Sequence, residues 1–204
     1  MSSSRSVEYD KTAYFWQGTI LISKIFTASW LKPEDINFKV FSYPEEEKDG
    51  RTYTRNQLLK LLDLDSNSSL SIVNNEYAEQ DPSKLLSLSH GQKAGAVICV
   101  SRKAVDGVGI DIELVNRRLS ERSMKFFINS FDENPKKNAL LEMWTKKEAA
   151  FKAAAPKIST IKVLNHLWIH GHSFGIVGSE KPLGEVGATR WEDQIIATAY
   201  LSIT

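Results

Sequence analysis

The sequence predicts an α+β fold, and three observations carry that expectation. Residues 107–113, Gly-Val-Gly-Ile-Asp-Ile-Glu, alternate apolar and polar side chains with period two, the pattern of a strand with one face in a core. Residues 138–155 carry apolar side chains at helical spacing and run uninterrupted to Pro156, which reads as one long helix. Beyond Pro156, residues 161–169, 173–177 and 194–202 have the composition of antiparallel strands.

Taken in order, residues 14–26 are rich in aromatic and β-branched side chains and predict a strand at 19–23. Lys32-Pro33-Glu34-Asp35 is a turn or helix start, and residues 37–42 form a second strand closed by Pro44. Residues 51–62 predict a helix with Arg51, Arg55, Leu58 and Leu62 on one stripe. Arginines at that edge either grip an anion or lie over the core. A polar loop at 63–69 leads to a strand at 70–73, the Asn74-Asn75 turn, and strands at 85–90 and 94–100. Val105-Asp106-Gly107 turns the chain into the 107–113 strand and divides it into residues 1–104 and 105–204. Ser120 caps a predicted helix over 120–131, and Asn134-Pro135 interrupts the chain before the long helix.

Composition narrows the function. The 204 residues are 42% hydrophobic, enough for a packed core in one or two units. A net charge of +1 does not indicate a nucleic-acid surface. The single cysteine, Cys99, lies in an apolar run, reads as a core thiol, and has no intrachain partner. The first residues are polar without an apolar signal core, and no run approaches a membrane span, so a cytoplasmic protein is expected. His170 and His172 flank Gly171 at an apparent hairpin tip, and with His166 they lack the further ligand that a structural zinc site needs.

Two stretches carry chemistry. On the 107–113 strand, Asp111 and Glu113 point to the same side, about 7 Å apart. Two carboxylates that close repel unless a cation or polar network lies between them. Mg²⁺ suits such a pair, because it uses one or two carboxylates together with substrate phosphates. On the long helix, Trp144, Glu148 and Lys152 follow i, i+4, i+8 and share a side, with Lys147 beside them. Leu140, Trp144, Phe151 and Ala155 form the expected apolar stripe. Read plainly, these are a solvated strand face and a surface ion pair. Read together, they supply a third carboxylate for the metal and a lysine for phosphate.

Gly-Ile-Asp-Ile-Glu at 109–113 and Trp-Thr-Lys-Lys-Glu-Ala-Ala-Phe-Lys at 144–152 together resemble the two signatures of the 4′-phosphopantetheinyl transferases. The resemblance implies the larger family form, a pseudo-dimer of two similar α+β halves with antiparallel sheets packed against helices, acting as a monomer. It implies Mg²⁺ held by Asp111, Glu113 and Glu148, with Glu148 and Lys152 catalytic. It implies CoA as co-substrate, bound by Arg51, Ser89, His90, Lys147 and Lys152, and an apo acyl or peptidyl carrier protein as partner, with no membrane or nucleic acid involved. Where the family often places a further glutamate, four residues after a Phe-Phe pair, this chain has Phe131 followed by Asp132 and Glu133; Asp132 is the substitute to examine. Gly91 stands where a serine is more usual. Lys136 and Lys137 are candidates to meet an acidic protein surface. The implied reaction moves the phosphopantetheine arm of CoA to a carrier serine and releases adenosine 3′,5′-bisphosphate. The rivals are a Mg²⁺-dependent hydrolase of the CoA pyrophosphate and a non-catalytic carrier-binding protein.

Overall fold

The computed structural model describes residues 25–65, 70–133 and 139–202. It is an α+β structure with two main antiparallel sheets. The first sheet joins β1 (Ile36–Ser42), β5 (Ala94–Ser101) and β4 (Lys84–His90) in the order β1-β5-β4, with α1 (Gly50–Leu61) packed on it. A two-stranded hairpin, β2 (Ile72–Val73) and β3 (Tyr77–Ala78), precedes β4. The second sheet has the order β6-β10-β9-β8-β7, built from β6 (Gly107–Leu114), β7 (Leu167–His170), β8 (Ser173–Ile176), β9 (Gly184–Trp191) and β10 (Gln194–Leu201). Between β6 and β7 lie the single turn α2 (Glu121–Met124) and the long helix α3 (Leu140–Ala154), which packs across β6 and β10.

The two sheets share a connection rule. In each, the first strand pairs with the last, the last pairs with the strand before it, every pairing is antiparallel, and a helix intervenes after the first strand. Their edges meet at β4 and β6. Val108, Ile110 and Ile112 of β6 enter one core with Ile36, Val40, Leu85 and Ile98 of the first sheet and Ile196 and Tyr200 of β10. That core also takes Ile25, Ala28 and Leu31, and the Tyr200 hydroxyl donates to the Phe26 carbonyl at 3.0 Å. The expected division at 104/105 thus falls in the turn before β6, and the packing runs across it.

The other face of β6 is not solvated, as half-burial would leave it. Helix α3 covers it, and the approach is backbone to backbone. A Cβ placed on Gly109 would stand 1.9 Å from the Ala149 carbonyl oxygen, and one on Gly107 would stand 2.1 Å from that of Ala153. The buried stripe of α3 is correspondingly small: Ala149, Ala150, Ala153 and Ala154 are buried, whereas Trp144, Phe151 and Ala155 of the expected stripe are only partly so. Gly109→Ala should therefore push α3 off β6 and destabilise the fold by about 1–3 kcal/mol, the cost of forcing one methyl into a packed contact. Chemical denaturation checks this, and an unchanged midpoint would refute the contact.

Other expectations need correction. The helix predicted over 120–131 is one turn, although Ser120 does cap it, accepting from the Ser123 N–H at 3.2 Å. It ends because Asn129 is stapled elsewhere: its amide donates to the Asn165 and Leu167 carbonyls at 3.0 and 2.7 Å. The strand expected at 161–169 is confined to Leu167–His170 behind a 3₁₀ turn at Leu164–His166. Strand β9 was not anticipated; its glycines hid it. A Cβ on Gly184 would lie 2.0 Å from the Tyr200 carbonyl oxygen, so close pairing with β10 excludes a side chain there. The strand expected at 19–23, and Lys136 and Lys137, lie outside the described residues. Among the described residues, no helix is long and apolar enough to cross a membrane.

Candidate active site

Because Gly109 lets α3 approach, the next residue on the same side of β6, Asp111, lies against that helix. Its side chain is buried at 6% exposure. Asp111 Oδ1 accepts from the Lys152 ammonium and from the Ser89 hydroxyl, each at 2.8 Å. The Lys152 ammonium also donates to the Ile110 carbonyl at 2.9 Å. One strand over, the Ser87 hydroxyl accepts from the Ile110 N–H at 3.1 Å, which clips the β4 edge to β6. Ser87 has no place in the sequence motifs. Only its alternation with Ser89 on β4, two hydroxyls on one face, hinted at this clip. Asp111 Oδ2 is buried and has no hydrogen-bond partner.

Glu113, two residues on, is held differently. Its Oε1 accepts from the Trp144 indole at 3.3 Å and pairs with the Arg117 guanidinium, which lies 5.2 Å over the Trp144 ring. Glu148 is half-buried on α3 between these groups. Burial pushes its carboxyl up from the ordinary value; the Asp111 charge adds to this, Lys152 opposes it, Glu113 adds, and Arg117 opposes. The site thus concentrates Asp111, Glu113 and Glu148 with Lys152 and Arg117. Among the described residues, however, no three acidic, histidine or cysteine side chains converge as a ready metal cage. A cage is not required of Mg²⁺, which draws much of its shell from water and phosphate oxygens. The fit to a hard cation rests on the bare Asp111 Oδ2 and on the nearness of Glu113 and Glu148.

A carboxyl whose folded-state pKa is raised holds its proton more tightly in the folded protein. Its contribution to stability is present below the unfolded value and is lost as pH rises through the folded one. Glu148→Gln should accordingly raise the melting temperature in metal-free buffer at neutral pH. That gain should shrink as pH falls into the ordinary carboxylate range. A lower melting temperature than wild type at neutral pH would contradict this placement of Glu148.

Of the residues expected to bind CoA, Ser89, His90, Arg51 and Lys152 lie on one side of the junction. His90 ends β4 and is exposed; burial of its ring pushes its pKa down, Arg51 and Lys152 push it further, and Asp111 and Asp49 pull the other way. Arg51 is exposed in the first turn of α1, where Asp49 caps the helix by accepting from the Arg51 and Thr52 N–H groups at 3.1 Å. Arg55, one turn on, lines a cavity of about 480 Å³ with Asn74, Ser87, Leu88, Phe151 and Lys152.

Lys147 is the exception, and its expected place beside Glu148 and Lys152 is corrected. It is fully buried, and its ammonium pairs with Asp132 at 2.6 Å and with the Leu167 carbonyl. Burial pushes its pKa down and Asp132 pulls it back up. Asp132 is withdrawn from the site by the same contacts: its carboxylate also accepts from the Asn129 and Ile169 N–H groups at 2.8 and 2.9 Å. Glu133 turns toward the hairpin, accepting from the Gly171 N–H at 2.7 Å. Neither residue supplies the further acidic ligand. The two hairpin histidines are committed to the scaffold: His172 stacks on Phe26 and His170 lies edge-on to Trp168.

Residues 107–199 match the family model of the 4′-phosphopantetheinyl transferase superfamily. This stretch of the chain is similar to that superfamily. No curated protein matches the chain. The superfamily match opens at the first residue of β6 and closes within β10, so it spans the second sheet, α3 and the acidic cluster, while Arg51, Ser89 and His90 lie before it. That superfamily is one of phosphopantetheinyl transfer from CoA to carrier proteins.

Proposed function

We propose that the protein transfers the 4′-phosphopantetheine arm of CoA to a serine hydroxyl of an apo acyl or peptidyl carrier protein, with Mg²⁺, releasing adenosine 3′,5′-bisphosphate. The observation that carries this reading is the buried, unpartnered Asp111 Oδ2 beside Lys152 and Glu148. An oxygen left bare in a closed site is costly unless a ligand completes it.

The reaction is attack by an alcohol on a pyrophosphate phosphorus, so catalysis is positioning and charge stabilisation. Mg²⁺ held by Asp111, with Glu113 and Glu148, would supply charge neutralisation of the pyrophosphate. Lys152, held by the Asp111 carboxylate and the Ile110 carbonyl, would hold phosphate oxygens and steady the leaving group. Glu148, whose pKa burial pushes up from the ordinary value, is the candidate acceptor for the serine proton. Ser89, His90 and Arg51 extend the site to further CoA phosphates. Lys147 has no part in this mechanism. The repeated connection rule of the two sheets supports the pseudo-dimeric family form, in which one chain supplies both halves and acts as a monomer. A cytoplasmic location, with CoA and carrier at hand, completes this reading.

The test is to incubate the protein with CoA, Mg²⁺ and apo carrier proteins, then weigh the carrier. Addition of the arm, lost on chelation, is the expected result. Release of free phosphopantetheine with the carrier unchanged would mean hydrolysis, and an inert mixture across a broad carrier panel would overturn the proposal.

A further inference from the structure

Glu113 carries a contact that the transfer reaction does not explain. Its carboxylate is mostly shielded, at 15% side-chain exposure, and it is occupied by Arg117, which is 41% exposed. The same Glu113 oxygen accepts from the Trp144 indole, and the guanidinium stacks over that ring. Arg117 therefore stands where a cation serving Asp111, Glu113 and Glu148 has to compete. It is tethered there by a turn: its N–H donates to the Leu114 carbonyl at 2.9 Å, and the preceding Val115 N–H is tied to Asp193 at 2.7 Å. The tether fixes its backbone, while its exposed side chain can swing into water without a large desolvation change.

We propose that Arg117 is a resident counter-cation of the acidic site, holding Glu113 until a divalent cation displaces it, and thereby setting the affinity for the metal. The inference rests on the metal reading given above. In the protein without CoA, formal charge supports exchange over addition. Three carboxylates with Lys152 and Arg117 leave the site one negative charge, because −3 + 2 = −1. A divalent cation added to that set would leave +1, whereas replacing the guanidinium leaves zero, because −3 + 1 + 2 = 0. The pairing also explains why the three carboxylates do not gather as ligands: Glu113 is already engaged. Arg117 acts through Glu113 and is a positioning residue. Trp144, losing the stacked guanidinium, becomes a reporter of the exchange.

The experiment is a Mg²⁺ titration of the CoA-free protein, read by calorimetry and by tryptophan fluorescence, on wild type, Arg117→Gln and Arg117→Lys. Arg117→Gln should bind Mg²⁺ about two- to fivefold more tightly, the scale of one partly shielded ion pair. Arg117→Lys, which keeps the charge, should stay near wild type. The wild-type fluorescence change should vanish in Trp144→Phe and be largely absent in Arg117→Gln. Equal or weaker Mg²⁺ binding by Arg117→Gln overturns the proposal while leaving the metal site standing. No Mg²⁺ binding by wild type or variant overturns the metal reading itself. Should Arg117→Gln not fold, the Arg117 side-chain N–H resonance of the wild type decides. Loss of its exchange protection on adding Mg²⁺ supports displacement, and retained protection sinks it.

Discussion

Asp111→Ala should lower transfer to an apo carrier by about 10²-fold or more, the scale of losing a major electrostatic stabiliser, while the protein stays folded. One carboxylate organises three parts of the site. Its Oδ1 fixes the Lys152 ammonium and the Ser89 hydroxyl, and its Oδ2 is the bare acceptor left for a cation. On the proposed reading, removing it frees the Lys152 ammonium and deletes the proposed metal ligand together, so saturating Mg²⁺ should not restore the rate. Asp111→Asn separates charge from shape. It preserves volume and can still accept from Lys152, yet it should be nearly as inactive, because a neutral amide oxygen is a poor substitute for a carboxylate toward a hard cation. Its melting temperature should fall modestly, since the ion pair with Lys152 is lost while the fold is kept. Initial rates and melting curves on the same preparations provide the check. A wild-type rate in either variant at saturating Mg²⁺ would remove Asp111 from the chemistry.

Lys147→Met should act in the opposite way, on stability and not on the chemical step. The Lys147–Asp132 pair is buried on both sides, at 0% and 1% side-chain exposure. Breaking such a pair leaves one charge uncompensated in the interior and costs about 3–5 kcal/mol. For a chain of this size that corresponds to a fall of roughly 10 °C in melting temperature. Asp132 also organises the turn before β7 through the Asn129 and Ile169 N–H groups, so the loss should reach that strand. Adding Asp132→Asn removes the stranded charge and keeps an acceptor for one of the two N–H groups, which bind different carboxylate oxygens. The double variant should therefore be more stable than Lys147→Met alone, a non-additivity that a double-mutant cycle measures directly. Below its unfolding temperature, Lys147→Met should retain much of its activity and its affinity for CoA. Unchanged stability with weakened CoA binding would return Lys147 to the substrate site.

Much of the candidate site was legible in the sequence because it is built from local periodicities. Alternation along residues 107–113 places Asp111 and Glu113 on one side of a strand, and four-residue spacing places Trp144, Glu148 and Lys152 on one side of a helix, whatever the strand and helix pack against. Both motifs stand in the structure as that spacing requires. Lys147 and Lys152 show where the local rule stops. They sit on one helix, about 140° apart around its axis, and nothing in the helix says which of those directions faces β6 and which faces the Leu167 carbonyl. Packing decides it, through the backbone contact of Gly109 with Ala149 and of Gly107 with Ala153. The same holds for Asp132, whose proximity to the second motif suggested a ligand and whose fate was set by β7. Strand β9 was missed because its glycines answer to backbone and ring contacts with β10 and Phe26, not to any pattern along the strand. By itself, then, the sequence determined which side chains share a face on each element, and hence the two halves of the chemistry. Only the tertiary structure decided which faces meet, and with that the burial of Lys147 and the engagement of Glu113 by Arg117. A side chain's periodicity is a property of its own element, whereas its partner and its dielectric surroundings belong to elements distant along the chain.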